Sequence, residues 1–86
     1  MRHEVMSITV RYFAAAADAA DCEEETLELP SSSVLGDLVA LLVERYGAEM
    51  HRVLSSGSFL LDGIVRRDPA FALTTRVDVL PPFAGG

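Results

Sequence analysis

The first strand of the chain is predicted by a regular alternation of apolar and polar positions over residues 5–13. Its inward face carries Met6, Ile8, Val10 and Tyr12. A period of two places successive side chains on opposite faces, so this strand has one buried face and an outward face that ends in Phe13. A second alternating run at residues 26–29 predicts another strand, which Pro30 ends because proline lacks a backbone N–H.

Two short segments join these strands. An alanine-rich stretch at residues 14–20 favours a helix, but only of one or two turns. The acidic run at residues 21–25 is expected to be a solvated loop. It lacks the glycine-punctuated spacing of a calcium loop, so no metal site is predicted there.

The middle of the chain has helical periodicity. Apolar residues at intervals of three and four predict one long amphipathic helix over residues 34–46. Ser33 is the expected N-cap, Asp37 suits the positive end of the helix dipole, and Gly47 is expected to close the last turn. A shorter helix is expected over residues 49–55.

The second half of the chain returns to strands. Residues 58–61 and 64–66 are predicted to form a hairpin around Asp62-Gly63, a favoured pair for a tight type I′ turn. The last strand covers residues 76–80, where Val77 and Val79 share one face and the opposite face ends in Leu80.

This order of elements predicts an α+β fold of the β-grasp, ubiquitin-like kind. A mixed sheet of about five strands would pack on one main helix, in a single domain over residues 1–86. In that arrangement the first and last strands are parallel neighbours in the middle of the sheet. Phe13 and Leu80 would then lie at the same end of the uncovered face, either as an apolar contact surface for a partner or covered by a loop or the short alanine-rich helix.

Composition excludes several classes of function. The chain has 86 residues and a net charge of −6, and its seven cations are all arginine, so nucleic-acid binding is not expected. Its apolar runs are too short to cross a bilayer, and its start lacks the apolar segment of a secretion signal. A lone cysteine, Cys22, fits a reducing compartment. We therefore expect a cytoplasmic protein.

No self-contained active site is predicted. His3, His51 and Cys22 share no spacing typical of zinc or of a Cys–His pair, so no metal is expected. The chain also contains no Gly-x-Ser-x-Gly elbow and no glycine-rich phosphate loop. The remaining candidate for chemistry is the end of the chain.

Residues 81–86, with the sequence PPFAGG, are expected to form a flexible C-terminal tail. Pro81 and Pro82 keep its exit extended. Gly85 and Gly86 carry no Cβ and can lie in a narrow channel of a partner. The tail is therefore expected to present a reachable terminal carboxylate.

These segments resemble the ubiquitin-like sulfur carriers of the MoaD/ThiS type, most closely the small subunit of molybdopterin synthase. The resemblance covers residues 6–86. It rests on VRYFAAAADAA (10–20), LELP (27–30), the amphipathic helix, FLLDGIVRRD (59–68) and above all VDVLPPFAGG (77–86).

The resemblance implies a sulfur carrier whose activity requires a partner. An ATP-dependent activating enzyme would adenylate Gly86, a sulfurtransferase would convert it to a thiocarboxylate, and the carrier itself would bind no cofactor. The large synthase subunit would use that sulfur to convert cyclic pyranopterin monophosphate to molybdopterin. Gly85 would provide clearance. By the same resemblance the contacts with the partner are Phe13, Leu80, Pro81, Pro82 and Phe83.

Two alternatives fit the same tail. The carrier could serve thiazole (thiamine) or cysteine synthesis. A protein of another class, a ubiquitin-like modifier joined through Gly86 to lysines of other proteins, has the same requirements for an accessible terminus.

Overall fold

The structure, a computed structural model, describes residues 4–82. Its elements in chain order are β1 (Val5–Tyr12), α1 (Ala15–Ala20), β2 (Glu24–Pro30), α2 (Leu35–Tyr46), α3 (Ala48–Ser56), β3 (Ser58–Leu61), β4 (Ile64–Arg66) and β5 (Arg76–Leu80). The order of strands and helices expected from the sequence is confirmed, as is the mixed five-stranded sheet.

The five strands form one sheet in the order β2-β1-β5-β3-β4. β5 is parallel to β1 and antiparallel to β3, so the last strand lies in the middle of the sheet. The β1–β5 register runs from Thr9 opposite Arg76 to Tyr12 opposite Val79. The parallel pairing of the first and last strands, expected from the order of elements, is therefore present.

The hydrophobic core lies between the helices and one face of the sheet. Each of its larger apolar side chains contributes about 1.5–3 kcal/mol when it is fully buried. The sheet supplies Ile8, Val10, Leu27, Leu29, Phe59, Leu61, Val77 and Val79, and the two longer helices supply Leu35, Leu38, Leu42, Met50 and Leu54. The alternate positions of the same strands point to the opposite face, which we call the open face.

Glycine conformations explain two of the turns. Asp62 and Gly63 have φ angles of 50° and 83°, as a type I′ turn between β3 and β4 requires. Gly47 has a φ angle of 79° where α2 ends and α3 begins, a conformation that a side chain would strain.

The prediction of a solvated loop over residues 21–25 is wrong for its last two residues, because β2 already begins at Glu24. Glu25 pairs in register with Val10 on the helix-covered face, in phase with Leu27. Its side chain is only 16% exposed. It accepts hydrogen bonds from the hydroxyls of Tyr12 and Tyr46. The carboxylate thus joins β1, β2 and α2, and the acidic run does not end as a solvated loop.

The expected N-cap of the long helix is also wrong. Val34 occupies that position in an extended conformation, and its backbone N–H donates to Oδ2 of Asp37 at 2.8 Å. Ser33 is instead buried, and its carbonyl accepts a hydrogen bond from the N–H of Leu73. The serine belongs to the junction between α2 and the loop before β5.

Candidate functional site

Phe13 and Leu80 lie at one end of the open face. Each comes one residue after the register pair of Tyr12 and Val79, and the N–H of Phe13 donates to the carbonyl of Val79 at 3.2 Å. Tyr12 and Val79 are buried, whereas Phe13 and Leu80 are half-buried. Because neighbouring residues of a strand face opposite ways, Phe13 and Leu80 share the open face.

A charged pair lies next to Phe13 on the same face. Arg11 and Asp78 are register partners, and Nε of Arg11 is 3.9 Å from Oδ1 of Asp78. The guanidinium carbon of Arg11 also lies 5.3 Å from the centroid of the Phe13 ring. Such a cation–π contact is worth about 0.5–1 kcal/mol at an exposed site. Arg11 therefore restrains the aromatic ring without covering it from all sides.

The apolar part of the open face is wider than the sequence analysis predicted. Leu60 on β3 stands opposite both Asp78 and Val65, which places all three side chains on this face. Leu60 is half-buried, and Val65 is 56% exposed. We call Phe13, Leu80, Leu60 and Val65 the open-face patch. The signal that could have revealed the last two is the hairpin register around Asp62-Gly63.

The helix α1 borders the patch but does not bury Phe13. A shallow depression beside the ring is lined by α1 and by the residues that lead into β2, including Ala17, Asp18 and Cys22. Cys22 is half-buried, and its neighbours Asp21 and Glu23 are exposed carboxylates. The depression is therefore acidic on the side away from the sheet.

The backbone leaves the sheet immediately after Leu80. Leu80 is the last residue of β5 and stands opposite Ser58 of β3. Pro81 is half-buried and Pro82 is exposed, and neither has an N–H to continue the ladder. Phe83, Gly85 and Gly86 lie outside the described residues, so their roles remain predictions.

Titratable groups with displaced pKa values occur on the helix-covered side. Burial, and then the hydrogen bond to Glu25, raises the pKa of Tyr12 far above its ordinary range, and the same two causes raise the pKa of Tyr46. Both hydroxyls stay protonated and serve as donors to Glu25 at neutral pH. Within residues 4–82 no three side chains are grouped in a way that could hold a metal ion. No helix in this part of the chain is long and apolar enough to cross a membrane.

A sequence model described as the ThiS family matches residues 10–86, which is nearly the entire chain and includes the tail. The chain belongs to the ThiS family. A search of the curated proteins finds no match.

Solved structures similar to this ThiS-family chain share its fold at low sequence identity. The solution structure of the HVO 2177 protein of Haloferax volcanii has a TM-score of 0.80 and 22% identity, and the match covers 95% of this chain and 88% of the other. The crystal structure of SAMP1 from the same organism has a TM-score of 0.77 and 21% identity, covering 93% and 99%. A putative molybdopterin converting factor, subunit 1, from Pyrococcus furiosus has a TM-score of 0.73 and 23% identity, covering 90% and 98%. These likenesses establish the ubiquitin-like β-grasp fold.

Proposed function

We propose that this ThiS-family protein is a cytoplasmic sulfur carrier, the small subunit of a molybdopterin synthase. Gly86 would carry the sulfur atom as a thiocarboxylate and donate it. The observation that carries the proposal is the family match, which continues through β5 to residue 86. The structural likeness to a putative molybdopterin converting factor subunit supports this branch of the family. Residues 4–82 then act as a folded support for the terminal carboxylate.

The proposed chemistry begins with activation of the Gly86 carboxylate. A carboxylate is a poor acyl donor, so an ATP-dependent enzyme would first form the acyl-adenylate and release pyrophosphate. Sulfur at the oxidation level of sulfide would then attack the acyl carbon and form a C–S bond, and AMP would leave as the acyl C–O bond breaks. The resulting thiocarboxylate is a nucleophile that stays ionised at neutral pH. Since the chain has no lysine, a catalytic side-chain amine would have to come from the large subunit.

The proposed partner would contact two parts of the chain. The open-face patch offers apolar area beside the root of the tail, and apolar and aromatic groups characterise the centres of protein interfaces. Pro81, Pro82 and Phe83 would extend that contact toward the channel of the large subunit. Gly85 would let the backbone pass where a side chain would clash.

Intact-mass measurement tests the proposal. The purified protein is incubated with its activating enzyme, ATP and a sulfur source, and we expect a mass gain equal to one exchange of oxygen for sulfur. The matched control lacks Gly86, and it should keep its fold and gain no sulfur. Incorporation of sulfur at equal yield without Gly86 would refute the assignment of the reactive residue.

The pathway requires a separate measurement. Stable co-purification with a large synthase subunit, followed by formation of molybdopterin from cyclic pyranopterin monophosphate, would support the molybdopterin branch. Sulfur loading without molybdopterin formation would favour a carrier for thiazole or cysteine synthesis instead.

A second candidate function is protein modification. It is favoured by the fold shared with SAMP1 structures, two of which are described as small archaeal modifier protein 1. In that case the activated Gly86 would form an amide with a lysine of another protein. Protein adducts of higher mass that map to Gly86, in place of the sulfur exchange, would identify this function.

A further inference from the structure

Gly57 lies unusually close to the root of the tail. It connects α3 to β3 with φ −89° and ψ −170°, an extended conformation that any residue can adopt. Its backbone angles therefore do not require glycine. A Cβ atom at this position would lie 2.5 Å from the carbonyl oxygen of Leu80 and 2.8 Å from that of Val53. Glycine is needed here because two backbone carbonyls approach it.

The carbonyl that meets Gly57 belongs to the peptide from which the tail departs. Leu80 is held in the ladder opposite Ser58, the residue after Gly57. The next peptide unit joins Leu80 to Pro81, which cannot donate a ladder hydrogen bond. The orientation of the Leu80 carbonyl sets the plane of that unit, and hence the direction in which residue 81 leaves the sheet.

The α3 side of this contact is also fixed. The N–H of Gly57 donates to the carbonyl of Val53 at 2.9 Å, which ties the glycine to the last turn of α3. Leu54, in the same turn, is buried in the core. The position of Gly57 is therefore set by the helix and the core, and the Leu80 carbonyl packs against this fixed position.

We propose that Gly57 is a positioning residue that aims the C-terminal segment by close packing against the Leu80–Pro81 peptide. Its effect on sulfur transfer rests on the function proposed above. The effect of Gly57 on the direction of the chain at Leu80 is independent of that function.

Gly57→Ala is the variant that tests this role, and Gly36→Ala is its matched control. A Cβ at Gly36 would meet the carbonyl oxygen of Pro69 at 3.2 Å, so both variants introduce a methyl group against a backbone carbonyl. Gly36 lies in α2, and Pro69 lies in the loop between β4 and β5. Of these two glycines, only Gly57 contacts Leu80, from which the tail departs.

Backbone NMR provides the measurement that needs no partner. In Gly57→Ala we expect shift changes at Leu80 and Pro81 that continue into residues 83–86, whereas in Gly36→Ala they should stay near residues 34–38 and 68–71. Carbonyl relaxation of the wild-type protein provides a second test, which stands even if Gly57→Ala does not fold. Leu80 should be as rigid as Val79, and a Leu80 carbonyl clearly more mobile than that of Val79 would overturn the proposal.

Sulfur transfer provides the functional measurement. With thiocarboxylated carrier and the large subunit, we expect Gly57→Ala to lower kcat at least tenfold while KM for the carrier stays within twofold. Gly36→Ala at a comparable melting temperature should keep the wild-type kcat. Equal losses in both variants, or an unchanged kcat in a folded Gly57→Ala, would contradict the positioning role. Failure of the wild-type protein to accept sulfur would refute the proposed function, and the NMR result would still decide the role of Gly57.

Discussion

Replacement of Glu25 by alanine is expected to lower the free energy of unfolding by more than the loss of one carboxylate usually does. Glu25 accepts hydrogen bonds from Tyr12 and Tyr46, and Nη2 of Arg45 lies 3.5 Å from its Oε1. Tyr12 is only 3% exposed, so its hydroxyl cannot easily find water when the carboxylate is removed. The variant therefore leaves a buried donor without an acceptor.

The size of the effect follows from these contacts. A hydrogen bond to a charged group contributes about 1.5–3 kcal/mol, and an orphaned buried donor costs about 1–3 kcal/mol. Arg45 is 47% exposed, and an exposed ion pair adds no more than about 1 kcal/mol. Tyr46 is half-buried and can be partly solvated, so we expect a total loss of about 2–4 kcal/mol. In a domain of this size that corresponds to a fall in melting temperature of roughly 10–25 °C.

Thermal or urea denaturation followed by circular dichroism measures this loss. Glu24→Ala is the matched control, because Glu24 is the preceding residue of β2 and is exposed on the open face. Its effect should stay within about 0.5 kcal/mol. Adding Tyr12→Phe to Glu25→Ala should recover part of the loss, since the buried hydroxyl of Tyr12 is then no longer left without an acceptor. Equal stability of the Glu24 and Glu25 variants would refute the reasoning.

Three further predictions concern pH, the open face and the tail. Because the folded state holds the pKa of Tyr12 above its unfolded value, the free energy of unfolding should fall as pH rises above about 10, by up to about 1.4 kcal/mol per pH unit. Tyr12→Phe should reduce that alkaline slope in urea titrations and leave the part due to Tyr46, and an unchanged slope would contradict the assignment. Phe13→Ala should weaken binding of the large subunit at least tenfold by calorimetry, whereas Phe71→Ala, which also removes a ring stacked by an arginine, should leave it unchanged. Gly85→Val should fold normally and lose sulfur transfer, and normal turnover would argue against a narrow channel.

The strands and the long helix could be predicted because the periodicity of their apolar residues matches which of their faces is buried. In β1 and β5 one face is buried and the other is not, so alternation identifies both the strand and its inward side. The parallel pairing of these strands followed from the order of elements. The same pairing predicted that Phe13 and Leu80 lie together.

The features that were missed depend on tertiary neighbours. Glu25 looks like the last member of a solvated acidic run, and only its register with Val10 and the two tyrosines shows that it faces the helices. Ser33 has the side chain of a good N-cap, but the loop before β5 buries it. Gly57 could not be singled out from the sequence. A side chain is excluded there because the carbonyl of Leu80, 23 positions later in the chain, packs against it.

The central position of β5 has a mechanical consequence. If the proposed partner draws the tail into a channel, it would pull on Leu80 along the axis of its strand. β5 is bonded on one side to β1 and on the other to β3, so that pull loads both ladders in shear and cannot peel the strand away bond by bond. β5 can therefore resist a pull on the chain after Leu80 better than an edge strand, which is hydrogen-bonded on one side only, could.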